Sequence, residues 1–444
     1  MKILPAVRPA CNAGTGEGSA ALPRGPVVQS RAKAAKLAAP LGRDAKYKNR
    51  AEKVDPETGE ITCGFDPMDS RVQRFILQSV ARKAIPKSRT DNCLRVRQKG
   101  KDVEVWKSHE FKTACFAGLQ TCGSVWACPV CAAKIAERRR GEIVAAMAAH
   151  KAAEGTVTLL TLTCPHQRTD NLGDLLAKQA KALNRFWADR SAKAVFKEMG
   201  IIGQIRALEV THGRKSEQNN GWHPHYHILQ FGGVGVDLAL FEPIQMRDWQ
   251  VRLYLVWAQA CKRAGLGEPS FAHGLKLDDG SKAAKYVSKW GLEDEMTKGH
   301  TKKASQGETP FDFLRAYLAD PEDKQALAMF KEFAETFKGK RQLHWSKGLK
   351  KRYAIGELTD EELSAQMEDE ARLLGSVTLD QWRDVLAANG RGVVLQLAAS
   401  SGWDAVEFYL ASIKRVFSDA SNDLQKRLDS RYFYTPKKKK KLTI

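Results

Sequence analysis

Long apolar runs are missing from this sequence. No stretch reaches the roughly 18 apolar residues of a membrane-spanning helix, although 43% of the 444 residues are hydrophobic. The first residues, Met1 to Pro5, lead into no apolar core of a signal peptide. Acidic residues are scarce, since 51 Asp and Glu against 72 Lys and Arg leave a net charge of +21. We therefore expect a cytoplasmic protein with no membrane partner, whose charge favours a polyanion, nucleic acid first.

A disulfide framework and an internal repeat are also absent. The nine cysteines are odd in number and partly clustered, which favours a reduced protein with a metal site over a set of disulfides. Without a repeat, the length predicts two or three unlike domains.

Composition divides the chain into five regions. Residues 1–65, rich in Ala, Gly, Pro and basic residues, predict a disordered basic arm. The clustered cysteines predict a zinc-binding region at 66–140, and strands and helices are expected at 141–300, the region that contains the histidine and tyrosine motifs described below. Residues 301–430 predict a mostly helical C-terminal region, and 431–444 a basic tail that ends the sequence.

Periodicity predicts the elements inside these regions. Besides the histidine stretch described next, strands are expected at 157–164 and 204–212, and helices at 172–199, 243–264 and 281–290. In the C-terminal region Asp320 is the expected N-cap of a helix, with Pro321 in its first turn and Gly339 as its stop.

Three histidines alternate in the stretch GWHPHYHILQF, residues 221 to 231. A strand sends alternate side chains to one face, so the imidazoles of His223, His225 and His227 project together and Tyr226 faces a core. Neutral imidazoles at this spacing can share a divalent metal. His225 and His227 are the candidate pair of ligands, and His223 is an additional candidate.

A carboxylate is expected opposite these imidazoles. The polar loop before the histidine strand predicts an antiparallel hairpin, in which Glu209 falls roughly opposite His225. One carboxylate and two imidazoles make a three-ligand site with open positions for substrate and water. The alternative is a surface carboxylate paired with Arg206 or Lys215, which need not lie across from His225.

Clustered cysteines predict a second metal site. Cys122, Cys128 and Cys131 have the spacing of a zinc knuckle, with Pro129 between the close pair. The fourth ligand is expected from one of three residues: Cys93, Cys115 or His109. We expect this site to be structural, and the helix after it to hold basic side chains towards phosphates: Arg138, Arg139 and Arg140.

A candidate nucleophile lies in SKAAKYVSKW, residues 281 to 290. On a helix, Lys282 and Lys289 share the face of Tyr286. Ammonium groups stabilise a phenolate, and a phenolate can attack a phosphodiester and become joined to it. The alternative is a tyrosine on an ordinary amphipathic face.

Four motifs in this order closely resemble the rolling-circle plasmid replication initiators, the single-tyrosine Rep proteins of the HUH endonuclease superfamily: TLTCPH (161–166), LEVTHG (208–213), WHPHYHIL (222–229) and AAKYVSKW (283–290). The cysteine stretch and RQLHWSKGLKKR (341–352) also resemble this family, so that the resemblance covers roughly residues 90 to 350. A lone His-x-His is a weak signal, whereas the ordered set is specific.

The resemblance implies an α+β fold with a ferredoxin-like or RRM-like antiparallel sheet in which the histidine strand is central. It implies that His225 and His227 bind Mg²⁺ or Mn²⁺, that Glu209 is the third ligand and that Tyr286 is the nucleophile. It also implies structural Zn²⁺ at the cysteines, with Cys93 fitting the family arrangement slightly better than Cys115.

The first motif and the tyrosine motif leave two points open. His166, at the end of TLTCPH, is expected to contact DNA or the metal ligands. Related initiators have a Glu one helical turn before the tyrosine, where this chain has Lys282. Asp278 or Asp279 would have to replace that Glu, so the termination step is less well supported than the nicking step.

The function implied is a metal-dependent DNA endonuclease and strand transferase. It would nick a plasmid double-strand origin at a single-stranded or hairpin site through a 5′-phosphotyrosine, rejoin the ends at termination, and work with a host helicase and polymerase. An HUH transposase or mobilisation relaxase is the alternative, disfavoured because the single tyrosine follows the histidines. A non-catalytic zinc-finger DNA-binding protein is an alternative of another class.

Overall fold

The computed structural model describes residues 53–54, 61–62, 67–108, 113–216, 219–233, 243–279, 307–365 and 371–417. The fold is mixed α+β with antiparallel sheets, as predicted at that level. The strands are β1 (Lys53–Val54), β2 (Ile61–Thr62), β3 (Val103–Ser108), β4 (Thr113–Ala117), β5 (Thr156–Thr163), β6 (Ile201–His212), β7 (Trp222–Gly232), β8 (Leu275–Asp279), β9 (Leu343–Trp345) and β10 (Ala371–Val377).

Helices alternate with these strands. They are α1 (Pro67–Ala84), α2 (Arg89–Asn92), α3 (Pro129–Ala152), α4 (Leu172–Ala188), α5 (Arg190–Glu198), α6 (Pro243–Ala264), α7 (Phe271–Gly274), α8 (Pro310–Ala319), α9 (Lys324–Thr336), α10 (Leu349–Arg352), α11 (Asp360–Ala365), α12 (Leu379–Ala387), α13 (Arg391–Ser400) and α14 (Trp403–Phe417). No helix in the described part of the chain combines the length and apolar character needed to cross a membrane.

The larger sheet has five strands in the order β8-β5-β7-β6-β9, with the histidine strand β7 at its centre. Alternation along β7 explains how it is covered on both faces. Tyr226 and Ile228 pack in the main core beneath α4 and α6, as predicted for Tyr226. Leu229 and Phe231 face the opposite side, where α3 supplies Ile143 to a smaller core. The histidines lie on this second face.

A smaller sheet, in the order β10-β3-β4, joins segments far apart in sequence. Val105 of β3 and Val377 of β10 are buried in a core that also contains Phe75 of α1 and residues of α12 to α14. The sheet therefore combines residues from the predicted zinc-binding region with residues from the predicted C-terminal region. Helices dominate the C-terminal region, but β9 and β10 were not predicted.

Two predicted helix boundaries are wrong. The expected single helix at 172–199 is two helices, because Asp189 has an extended backbone and caps α5 by accepting hydrogen bonds from Ser191 N and Ala192 N. The helix expected to start at Asp320 is capped by Asp323, whose side chain accepts from Ala326 N. Asp320 instead ends α8.

Candidate metal centre and its surroundings

Glu209, His225 and His227 converge at one end of the larger sheet. The predicted register is confirmed, because Glu209 of β6 pairs directly with His225 of β7. The Glu209 Oε2 atom lies 3.3 Å from His225 Nε2 and 3.7 Å from His227 Nε2. A ligand atom from each of the three side chains lies within 4.8 Å of the other two, which is a separation that one metal ion can bridge. The alternative of an unrelated surface carboxylate does not require this arrangement.

The outer nitrogens of both imidazoles have hydrogen-bonding partners away from Glu209. His225 Nδ1 lies 3.3 Å from the carbonyl oxygen of His223, which can only accept, so the tautomer that makes this hydrogen bond has its proton on Nδ1 and its lone pair on Nε2. His227 Nδ1 lies 3.0 Å from the Thr161 hydroxyl of β5. Such outer contacts orient metal-binding imidazoles. The donor set therefore fits a divalent cation, with Nε2 of each ring facing the carboxylate.

His223 and His166 form a second pair beside this group. Their ring centroids are 4.6 Å apart, and His223 also lies against the ring of His225. Burial, with His225 and His166 as further causes, lowers the pKa of His223 to about 3 and keeps its ring neutral. The three-residue group does not include His223. His166 thus contacts the neighbour of a candidate ligand, and its role at DNA or at the metal stays a prediction.

Four buried cysteines form the second candidate metal centre: Cys93, Cys122, Cys128 and Cys131. Their Sγ separations include 3.4 Å for Cys93–Cys131, 3.6 Å for Cys122–Cys131 and 3.8 Å for Cys93–Cys128. Tetrahedral zinc with bonds of about 2.3 Å to sulfur needs edges of about 3.8 Å. The sulfur atoms therefore have the spacing of a closed four-thiolate site.

Cys93, rather than Cys115, joins the three cysteines of the motif. Cys115 lies in β4, paired with Trp106 of β3, and His109 lies outside the described residues. Hydrogen bonds with the other three thiols, followed by burial, raise the pKa of Cys93 well above its usual value. A bound cation would reverse this preference by stabilising the thiolates.

Behind the cysteines lies a polar network that the sequence did not suggest. The Gln78 amide of α1 donates to Cys128 Sγ over 3.0 Å and accepts from Arg391 Nη1 over 2.7 Å. Burial, and next the positive charge of Arg95, lowers the pKa of Arg391 to about 9. Gln78 and Arg391 have no exposed surface. Arg391 follows the cysteines by more than two hundred residues in an apolar helix, so no local pattern indicated it.

Other predicted site residues are placed elsewhere or not described. Tyr286, Lys282 and Lys289 lie outside the described residues. Among the arginines of α3, Arg139 pairs with Glu142 and Asp360, and Arg140 pairs with Glu137. For Arg138 to Arg140, contact with DNA stays a prediction.

Asp278 lies in the edge strand β8 and pairs with Lys276. Its β5 neighbour is Leu159, two residues along the strand from Thr161. Thr161 itself was not singled out beforehand, although TLTCPH contained it. Its position in a strand next to the histidines was the available signal.

Comparison with known proteins agrees with the motifs. Residues 116–235 match the family model described as "Replication protein", a segment that contains β5 to β7. The "Protein rep" of Streptomyces lividans is 28% identical, with 62% of this chain and 74% of that protein covered. This chain is similar to the Rep replication proteins. The resemblance expected from the motifs is thereby confirmed.

A second relative is similar over a shorter part of the chain. The "Neomycin resistance protein" of Streptomyces cyanogenus is 32% identical over 26% of this chain and 31% of that protein. No solved structure matches the chain.

Proposed function

We propose that this Rep relative starts rolling-circle replication of a plasmid by nicking one strand of the double-strand origin. The convergence of Glu209, His225 and His227 on neighbouring strands is the observation that carries the proposal. A protein that only binds DNA needs no such group of ligands. Relation to the Rep proteins supports a replication initiator, and the five-stranded antiparallel sheet is our candidate for the HUH nuclease domain.

Tyr286 is the proposed nucleophile. Its phenolic oxygen would attack the scissile phosphorus and form a 5′-phosphotyrosine, while the bond from phosphorus to the 3′ oxygen breaks. The leaving oxygen takes a proton and becomes the 3′-hydroxyl that a host polymerase extends. Mg²⁺ or Mn²⁺, when bound, would polarise the phosphate and orient it for in-line attack. Lys282 and Lys289 would favour the phenolate, and reversal of the attack would rejoin ends at termination.

Glu209, His225 and His227 would hold the cation, and the outer hydrogen bonds would hold the rings. With the proton on Nδ1 donated to the carbonyl of His223, His225 would offer Nε2 to the cation. The Thr161 hydroxyl limits rotation of the His227 ring in the same way. We assign the four cysteines to a structural Zn²⁺ ion because they are buried and leave no open position for a substrate.

A basic groove of about 1300 Å³ beside the cysteines is our candidate path for origin DNA. Its lining includes Arg139, Gln342 and Leu343, which also line a small recess that reaches Glu209. Further cationic side chains lie along the groove: Lys87, Lys331, Lys338, Lys340, Arg341 and Lys347. Trp345, which is partly exposed, adds aromatic surface on which an unpaired base can stack.

The test is formation of a covalent protein–DNA adduct. The full chain is incubated with labelled single-stranded oligonucleotides tiled across its replicon, with Mn²⁺ or Mg²⁺, and separated on a denaturing gel. We expect a shifted band in the wild type that disappears with EDTA and in Tyr286→Phe. Tyr254→Phe is the matched control, because Tyr254 donates to the Pro269 carbonyl and is neither a candidate ligand nor the proposed nucleophile. An adduct that persists in Tyr286→Phe would contradict the assignment of the nucleophile.

A further inference from the structure

Arg391 is a charged side chain enclosed within the protein. It is fully buried, and its Nη1 atom donates to Gln78 Oε1 and to the backbone carbonyls of Cys93 and Leu94. The Nε and Nη2 atoms are buried without a hydrogen-bond partner. The guanidinium also lies 4.9 Å from the centre of the Phe75 ring. Among the described residues, no carboxylate forms an ion pair with Arg391.

Such a charge needs an anion nearby. A buried guanidinium that contacts only neutral groups bears a large desolvation cost, which carbonyl oxygens and an aromatic ring offset only in part. The cysteine cluster can supply this anion, since Gln78 bridges Arg391 to Cys128 Sγ and Arg391 itself contacts the backbone of Cys93. Four thiolates around one divalent ion carry a net charge of −2.

We propose that Arg391 is the counter-charge of a divalent metal ion bound by Cys93, Cys122, Cys128 and Cys131, and that this pairing attaches helix α13 to the cysteine region. Gln78 transmits the contact by donating to a thiolate and accepting from the guanidinium. Arg391 is thus a positioning residue for the metal centre. The inference rests on the cysteines binding a metal and is independent of the nicking chemistry.

Packing around Arg391 supports a fixed attachment. The Cβ atom that a larger residue would place at Gly392 would lie 2.8 Å from Val72 Cα, so the first turn of α13 touches the backbone of α1. Ser79 of α1 donates to the side chain of Asn389, just before α13. Helix α1 therefore has α13 on one side and, through Gln78, the cysteines on another. A change in charge at the metal site would therefore affect how α13 is held against α1.

The decisive test compares Arg391→Met with and without metal. We expect one Zn²⁺ per chain in the purified wild type by elemental analysis. In the zinc-loaded protein, Arg391→Met should lower the urea unfolding midpoint, because the dianionic centre loses its counter-charge. In chelated protein, or in a Cys128→Ser background, the same substitution should leave the midpoint unchanged or raise it, because the guanidinium is then buried without an anion. An equal loss in both states would make Arg391 an ordinary packing residue and overturn the proposal.

Metal affinity provides a second readout that does not depend on unfolding. In competition with a chromophoric chelator, Arg391→Met and Gln78→Leu should bind Zn²⁺ at least about tenfold more weakly, while Arg391→Lys should recover most of the affinity. Arg383→Met is the matched control, since Arg383 lies in α12, not in α13, and pairs with Asp380 of its own helix. Unchanged affinity in Arg391→Met overturns the proposal. A wild type that binds no metal also overturns it, whereas adduct formation through Tyr286 would be unaffected as a separate result.

Discussion

The proton positions of two imidazoles decide whether the candidate nuclease site can bind a cation. For His225 the partner of Nδ1 is a backbone carbonyl oxygen, which no substitution of a side chain removes. For His227 the partner is a side chain, the Thr161 hydroxyl at 3.0 Å. A substitution at Thr161 can therefore change the orientation of the His227 ring while all three candidate ligands stay in place.

Thr161→Val should weaken divalent metal binding at the nuclease site. Valine keeps the branched shape that suits β5 but removes the hydroxyl, so the His227 ring loses the contact that orients it. We expect the Mn²⁺ concentration for half-maximal adduct formation to rise about tenfold. Thr156→Val, in the same strand with a hydroxyl bonded to the Gly232 carbonyl, is the control. Equal Mn²⁺ requirements in the two variants would contradict this role of Thr161.

His212 predicts a component of acid sensitivity. Burial lowers its pKa to about 4, and its Nδ1 atom accepts a hydrogen bond from Arg214 N. An unfolded histidine titrates near about 6.5. As the pH falls from about 6.5 towards about 4, the unfolded chain gains a proton that the folded chain does not, so stability falls.

His212→Asn should reduce that pH dependence. The asparagine oxygen can replace the Nδ1 acceptor and does not titrate. Urea midpoints measured between pH 7 and pH 5 should therefore decline less steeply in the variant than in the wild type. Parallel curves would show that His212 contributes nothing to the acid response.

At the scale of elements, the strands followed from the sequence more closely than the helix boundaries did. Period-two alternation predicted β6 and β7, and an apolar run with β-branched residues predicted β5. The hairpin loop predicted the register that brings Glu209 to His225. Helical periodicity, by contrast, runs smoothly through Asp189, because an aspartate is tolerated inside a helix as well as at its start. Strands β9 and β10 were missed because a short strand at a sheet edge depends on a partner that lies far away in sequence.

The side chain of Asp189, as the N-cap of α5, should contribute measurably to the free energy of unfolding. Its carboxylate accepts from Ser191 N and Ala192 N, two amides that have no partner within α5. Asp189→Ala should lower the free energy of unfolding by about 1 kcal/mol. Asp189→Asn keeps an acceptor at the same position and should cost only a few tenths of that. Chemical denaturation of the three proteins at constant zinc would measure the difference, and equal losses in both variants would contradict the capping role.

The metal ligands illustrate what sequence spacing can and cannot predict. His225 and His227 stand two residues apart, so their common face follows from strand geometry alone. The fourth ligand was left open among Cys93, Cys115 and His109, because about thirty residues of chain separate Cys93 from the motif. The contact between Gln78 and Arg391 could not be predicted from the sequence, since it depends on the packing of α1 against α13.

At the scale of the whole molecule, the excess of 21 positive charges should make DNA binding sensitive to salt. Several of these positive charges line the groove. Two of them, Lys338 and Lys347, make no ion pair with any described residue. Each phosphate contact releases counterions, so its loss should change the salt dependence as well as the affinity.

Lys338→Glu and Lys347→Glu should each weaken binding of a single-stranded origin oligonucleotide. We also expect the slope of log affinity against log salt to become less steep by about 0.7 for each lost phosphate contact. Fluorescence anisotropy across a salt series measures both quantities. Lys193→Glu, an exposed change on α5 away from the groove, is the control. Equal effects in all three variants would indicate general electrostatics in place of a defined path.

The smaller sheet has a consequence for the order of events during synthesis. Strand β3 leaves the ribosome early, but its neighbour β10 emerges only after the whole five-stranded sheet has been made. Until then one edge of β3 and the apolar face around Phe75 lack their covering. Unpaired strand edges and exposed apolar surface on a growing chain are substrates for chaperones. We therefore expect the region around β3 to depend on chaperone protection during synthesis, even after the histidine strand β7 has paired with β5 and β6.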